Sequence, residues 1–305
     1  MSRLNDGRFL GFDIGAESVK IAELVVNDGV AVVGRTVRGE HGGEVGQTVQ
    51  GLLSELGWSE VNGAAATGRM GSSLRLARIP TKTAIVQGAR LLFPEHKAIS
   101  VVSIGAQGFS VVEIRDDDSS SVRENSRCSQ GTGSFLRQLV GRFDLDLAKA
   151  DEMVEEVANP AHLSGRCPVI LKTDMTHLAN KGEDAATILA GLYDAVCDNV
   201  KTLLRPRSDE AALVMAGGVV RSGRIRRRFK QFAKGANLEF IDFDYSQTEF
   251  IEAFGAAVLA AKSGSIDLPP ISELLVFTKP TSFQTLPPLT KSMDKVHRLT
   301  GKNQE

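Results

Sequence analysis

The chain has 305 residues, of which 42% are hydrophobic and 24% charged, values close to those of globular proteins and unlike those of disordered, collagen-like or disulfide-scaffold chains. Such a length is about twice that of a usual domain and points to two packed units sharing one cleft. The 36 Lys and Arg nearly cancel the 37 Asp and Glu, so no global field draws the chain to nucleic acid or to an anionic membrane.

The first ten residues lack a basic segment followed by an apolar one, and no run of about 18 uncharged apolar residues occurs; the expected setting is cytoplasmic, without a membrane anchor. Residues 9–38 read as three antiparallel strands, with apolar runs at 9–14, 19–26 and 30–37 separated by Gly15-Ala16-Glu17-Ser18 and by Asn27-Asp28-Gly29. Asp-Gly between alternating apolar residues signals a hairpin, because glycine supplies the positive φ that such turns need. Helical patterns follow at 46–56 and 81–93. About ninety residues on, the three-strand pattern recurs, with runs at 99–104 and 109–114, a Gly105-Ala106-Gln107-Gly108 break and a turn at Asp116-Asp117-Asp118. Helices are predicted at 133–143, 148–158, 173–179 and 184–205. Residues 211–216 form a buried-type strand that ends in Gly217-Gly218 before a helical pattern at 222–234, and strand ends of this kind face ligands. A final helix at 247–261 precedes a Pro-, Ser- and Thr-rich stretch that suits a strap or a disordered tail.

The chemistry is carried by a few positions. The Gly15 turn lets backbone amides approach phosphate, Glu17 and Ser18 add side-chain contacts, and Asp13 at the strand end would hold Mg2+ through water or, more simply, cap the turn. Gly217, Gly218 and Arg221 would meet the ribose or phosphates, unless they form an ordinary strand-to-helix turn. Three cysteines make no disulfide framework. Cys128 precedes Gly131-Thr132-Gly133 and a helical start, where exposed N–H groups favour a thiolate, and Cys167 precedes Pro168, a first-turn residue. The plainer reading of each is a buried small apolar side chain. Cys197 lies inside a helical pattern and is a packing thiol. The basic run of Arg221, Arg224, Arg226, Arg227, Arg228 and Lys230 reads as a solvated helix face, and the five scattered histidines offer no zinc spacing.

Six segments occur in an order that resembles one family. They are Phe9-Leu-Gly-Phe-Asp-Ile-Gly-Ala-Glu-Ser-Val-Lys20, Cys128-Ser-Gln-Gly-Thr-Gly-Ser-Phe-Leu136, Cys167-Pro-Val-Ile-Leu171, Leu178-Ala-Asn-Lys-Gly182, Ala216-Gly-Gly-Val219 and Ile251-Glu-Ala-Phe-Gly-Ala-Ala257. The family is BadF/BadG/BcrA/BcrD, the ATPases that include activators of 2-hydroxyacyl-CoA dehydratases and subunits of benzoyl-CoA reductases; the resemblance covers roughly residues 8–262. It implies an α/β, actin-like (sugar kinase/Hsp70/actin) ATPase fold, with two duplicated ribonuclease-H-like lobes around a nucleotide cleft. The lobes would span 1–97 and 98–264, the last helix returning to the first lobe, with a tail at 265–305. The implied cofactors are ATP or ADP, Mg2+ and a [4Fe-4S] cluster bridging a homodimer, held by Cys128 and Cys167 of each subunit. Asp13 and Gln107 would be catalytic. Gly15, Ala16, Glu17, Ser18, Lys20, Gly105, Ala106, Gly131, Thr132, Gly133, Gly217, Gly218 and Arg221 would line the nucleotide. The implied partner is a dehydratase or reductase that accepts an electron; nucleic acid and membrane are not expected.

The chain departs from the family at three places. Ser103 and Gly108 stand where relatives carry acids, which takes away charge that would bind Mg2+ or activate water. Thr67-Gly68-Arg69-Met70-Gly71 differs from the usual turn, with Arg69 as a substitute for its arginine. Lys172-Thr173-Asp174 leaves one acid beside Cys167, a less negative setting that raises a cluster's reduction potential. Two alternatives therefore stand beside the activator reading: a regulatory subunit that binds nucleotide with impaired hydrolysis, and an actin-like assembly ATPase without a cluster. A small-molecule kinase would need a substrate-site base that the sequence does not offer.

Overall fold

The computed structural model describes residues 4–125, 132–164, 167–205, 211–264 and 268–276. The first half of the chain gives β1 (Gly7–Ile14), β2 (Ser18–Asn27), β3 (Val30–Glu40), α1 (Val45–Leu56), β4 (Gly63–Thr67), β5 (Ala77–Arg78) and α2 (Thr81–Leu92). The second opens with β6 (Ile99–Ile104), β7 (Phe109–Ile114) and β8 (Ser120–Glu124), then α3 (Gly133–Val140), α4 (Leu147–Glu155), α5 (Pro168–Asn180) and α6 (Ala185–Lys201). It closes with β9 (Ala212–Ala216), α7 (Gly223–Gly235), β10 (Glu239–Phe240), α8 (Tyr245–Thr248), α9 (Ile251–Ser263) and α10 (Ile271–Leu274).

The strands form two five-stranded sheets, ordered β3-β2-β1-β4-β5 and β8-β7-β6-β9-β10. Each has a central strand, β1 or β6, paired antiparallel to its hairpin partner and parallel to a later strand. The two sheets thus repeat one topology, as the sequence duplication implies. Asp28 and Gly29 both take positive φ, 52° and 76°, which gives the β2–β3 hairpin the twist its strands require. The helices start where side chains satisfy free N–H groups: Asp146, Asp184 and Ser222 cap α4, α6 and α7, and Pro168 opens α5.

Alternation along the central strands fixes the layers. Leu10, Phe12 and Ile14 of β1 pack with Val49, Leu52 and Leu53 of α1, whereas Phe9 packs on the opposite side with Ala256 and Ala257 of α9. On the second sheet, Val102 and Ile104 face α3, α4, α6 and α7, while Ile99 and Val101 face Ile85 and Ala89 of α2. The order is therefore α1, first sheet, α9, α2, second sheet, outer helices. Close approach at the centre depends on glycine: a Cβ at Gly11 would lie 1.8 Å from the Ala253 carbonyl oxygen, and one at Gly255 would lie 1.8 Å from that of Ala84. Residues 268–276 are strapped to the first sheet's outer layer. The Trp58 indole donates to the Pro269 carbonyl at 2.9 Å, and Leu274 is fully buried.

The basic segment at 221–230 keeps a solvated side, with Arg221, Arg227 and Lys230 exposed, but Arg224 departs from that expectation. Arg224 is buried, donates to Asp194 at 2.9 Å and to the Val154 and Val157 carbonyls, and Arg228 also reaches Asp194. Arg226 and Lys230 hold Asp242, and Arg227 holds Glu155. The helical period brings Arg224 onto the same side as Ile225 and Phe229, and a buried acid meets it there.

Candidate functional site

The two sheets bring equivalent turns together at their C-terminal ends. The Gly15 N–H donates to the Ser18 carbonyl at 2.9 Å, and the Gly105 N–H donates to that of Gly108 at 2.8 Å. Beside each turn the neighbouring parallel strand ends in a left-handed glycine, Gly68 (φ 87°) after β4 and Gly217 (φ 81°) after β9. A Cβ at Gly68 would lie 2.5 Å from Asp13 Oδ1, and one at Gly217 would lie 2.5 Å from the Ile104 carbonyl oxygen. Only glycine allows the turns this proximity. Space around Gly218 is open. Ala16, Glu17 and Ser18 are half-buried and Gln107 and Arg69 are exposed.

Asp13 and Ser103 occupy the same place in the two lobes, the next-to-last residue of β1 and of β6. Asp13 pairs with Lys20 across β2 and with Thr67 across β4, and Ser103 pairs with Ala216 across β9. Asp13 has the parity of Gly11, and Ser103 that of Val101, so both face the central helices. On that face Lys20 Nζ donates to Asp13 Oδ2 at 3.1 Å, and Ser103 Oγ donates to Glu252 Oε1 of α9 at 2.8 Å. One turn earlier, buried Glu249 lies between two guanidinium groups, Arg38 of β3 at 3.1 Å and Arg221 at 2.8 Å. Burial opposes charge on Lys20, but Asp13, then Glu252 and Glu249, outweigh it and raise the Lys20 pKa. Burial, reinforced by the Asp13 charge, raises that of Glu252 against the opposing pull of Lys20 and Ser103.

A second bridge crosses the cleft mouth. Glu17 accepts from Ser134 Oγ and from Arg137, each at 2.7 Å. The α3 start is docked on the second turn as well, with the Gly133 N–H donating to Gly105 and the Ser134 N–H to Ala106, at 2.9 and 2.8 Å. Thr132 caps this helix by accepting from the Phe135 N–H. Cys128 and Gly131 lie outside the described residues.

The remaining cysteines differ sharply in setting. Cys197 is fully buried, and burial pushes its thiol up to about 12. Cys167 is exposed and is the N-cap of α5, with no side-chain capping bond. Asp174 of α5 accepts from the Ser164 N–H and hydroxyl, at 2.9 and 2.6 Å, and so ties Ser164 to that helix.

The sequence model of the BadF/BadG/BcrA/BcrD ATPase family matches residues 10–260. The chain belongs to this family. It is 24% identical over 258 residues to the 2-hydroxyisocaproyl-CoA dehydratase activator of Clostridioides difficile, a match covering 82% of this chain and 94% of that protein. It is 23% identical over 263 residues to the (R)-2-hydroxyglutaryl-CoA dehydratase activating ATPase of Acidaminococcus fermentans, covering 84% and 98%. Among solved structures, the activator of the 2-hydroxyisocaproyl-CoA dehydratase from Clostridium difficile, with bound ADPNP, superposes with a TM-score of 0.69 at 20% identity, covering 96% of this chain and all of that one. The fold is that of the actin-like ATPases and sugar kinases. No helix of the described residues is long and apolar enough to cross a membrane.

The sequence marks the two glycine turns, Asp13 and Gly217; it presents Thr67, Gly68 and Glu252 only inside motif segments, with no role attached, and gives no sign of Glu249. A signal for Glu252 was present: it is the only charged residue between Phe250 and Ala261, in a helix apolar on every side and therefore buried.

Proposed function

We propose that this protein is an ATP-coupled activator. Two copies would each donate Cys128 and Cys167 to one shared [4Fe-4S] cluster and pass an electron to a partner dehydratase or reductase whose substrate is an acyl-CoA. Family membership and relatives named as activators of acyl-CoA dehydratases support the activator part of this reading. The observation that carries it is the setting of Cys167: an exposed thiol at a helix start, followed by Val169 and Ile170, which are 72% and 48% exposed. Apolar residues left in water beside an available thiol suit a subunit contact built around a metal.

The cleft residues fit a magnesium nucleotide. Two glycine turns face each other, and two buried oxygens at the cleft floor, Thr67 Oγ1 and Glu252 Oε2, lack hydrogen-bond partners among the described residues. When bound, ATP supplies a phosphoanhydride bond and the cluster supplies a one-electron store. The Gly15 and Gly105 turns would offer the backbone amides of Ala16 and Ala106 to phosphate, Asp13 would hold the hydrated cation, and Gln107 would orient a water. Glu17 now occupies Ser134 and Arg137, so phosphate entering between the turns competes for them and shifts α3. The segment carrying Cys128 leads directly into that helix. Such a shift is driven only if nucleotide prefers one lobe arrangement over another.

Anaerobic purification with iron and sulfide analysis tests the reading. About four irons per dimer are expected in the parent, with loss in Cys128→Ala and in Cys167→Ala. A parent that holds no cluster after reconstitution overturns the electron-donor role, and a cluster that survives both substitutions overturns the ligand set. A second reading, nucleotide binding with impaired hydrolysis, is favoured by the uncharged Ser103 at the second strand end, and steady-state ATP turnover separates the two.

A further inference from the structure

We infer that Glu252 supplies the second-lobe carboxylate of the cation site in the nucleotide cleft, standing in space where the second lobe's own strand carries Ser103. The inference rests on the nucleotide-binding reading above and names a residue for it. The lobes repeat one topology, and the position that holds Asp13 in the first holds an uncharged hydroxyl in the second. That hydroxyl donates to Glu252 Oε1 at 2.8 Å across 149 residues of sequence, which places the carboxylate directly beside the position that lacks a charge.

Two independent features mark the place as a site for a ligand. Glu252 is 5% exposed, and its Oε2 is buried without a hydrogen-bond partner among the described residues. Thr67 is 0% exposed, and its Oγ1 is likewise unpartnered among them; it lies next to Asp13 in the parallel register, with the parity that faces α9. A buried oxygen left unpaired is costly, and two of them on one face beside Asp13 form a set of hard oxygen donors. Mg2+ takes one or two carboxylates and completes its shell with water and phosphate oxygens. Asp13 and Glu252 can carry two negative charges, and Lys20, which touches Asp13, returns one.

The competing account makes Ser103 and Glu252 a bolt between the lobes. Glutamine separates the accounts, since its carbonyl still accepts from Ser103 while its charge is gone. The experiment is calorimetric titration of the full-length protein with AMP-PNP, in Mg2+ and in EDTA, for the parent, Glu252→Gln and the relocated pair Ser103→Asp with Glu252→Ser. Cation and nucleotide raise each other's affinity reciprocally, so Mg2+ is expected to tighten binding to the parent by about tenfold or more. Glu252→Gln should lose that gain while its affinity in EDTA stays within about twofold, and the relocated pair should regain it. A Glu252→Gln protein that keeps the Mg2+ gain overturns the inference and leaves the nucleotide reading intact. A parent that binds AMP-PNP equally with and without Mg2+ also overturns it. A parent that binds no nucleotide in either buffer removes the reading and the inference together. If Glu252→Gln does not fold, as judged by thermal melting, the relocated pair decides: a Mg2+ gain supports the inference and its absence overturns it.

Discussion

Single residues carry the chain's responses to acid and to thiol reagents. Glu23 lies in β2 between the guanidinium groups of Arg8 and Arg35. Burial works to raise its pKa, but the Arg35 backbone N–H and the two side chains outweigh burial and hold it at about 2. A depressed folded-state pKa gives stability that is complete above the unfolded value and lost as pH falls through the folded one. The protein should therefore weaken between about pH 4.5 and pH 2, and Glu23→Gln should flatten that part of the profile in urea denaturation at stepped pH. For the cysteines, iodoacetamide at neutral pH is expected to label Cys167 of the cluster-free protein and to spare Cys197 until the chain unfolds, as read by peptide mass spectrometry, because the thiolate is the reactive form and burial suppresses it at Cys197. Cys197 was legible as a packing thiol from its helical surroundings. The exposure of Cys167 was not, since spacing says nothing of which face of α5 is covered.

At the level of elements, glycines separate close approach from mere tolerance. Gly11→Ala would drive a methyl into the α9 backbone and should cost about 3 kcal/mol, whereas Gly51→Ala on the exposed face of α1, where a Cβ meets nothing within 4 Å, should gain about 1 kcal/mol. Urea midpoints for the two variants should move in opposite directions. The hairpins and most helices were readable because apolar periodicity and Asp-Gly act over a few residues. β4 was not. Its sequence, Gly-Ala-Ala-Ala-Thr, has helical preference and no alternation, and it becomes a strand because β1 and β5 pair with it on both sides. The helix expected at 247–261 is interrupted between α8 and α9, at Glu249 and Phe250, where the Glu249 carboxylate is held between Arg38 and Arg221.

Across the whole molecule, carboxylates join the lobes at the cleft: Glu17 at its mouth, and Glu249 and Glu252 at its floor. If the Glu17 bridge reports nucleotide occupancy, Glu17→Ala should raise hydrogen exchange at residues 133–136, and AMP-PNP should change exchange there in the parent more than in the variant. Equal exchange in both proteins would show that the bridge does not hold α3. By itself the sequence determined the duplication, the glycine turns at strand ends and the family, because each is written in contiguous residues whose backbone demands are local. Tertiary structure alone decided that Glu252 meets Ser103, that Gly68 mirrors Gly217 and that Arg224 is buried on Asp194. Those pairings depend on how α9 seats against β1 through Gly11 and how α7 packs on α6, and a linear pattern carries no measure of which distant side chains will share one face.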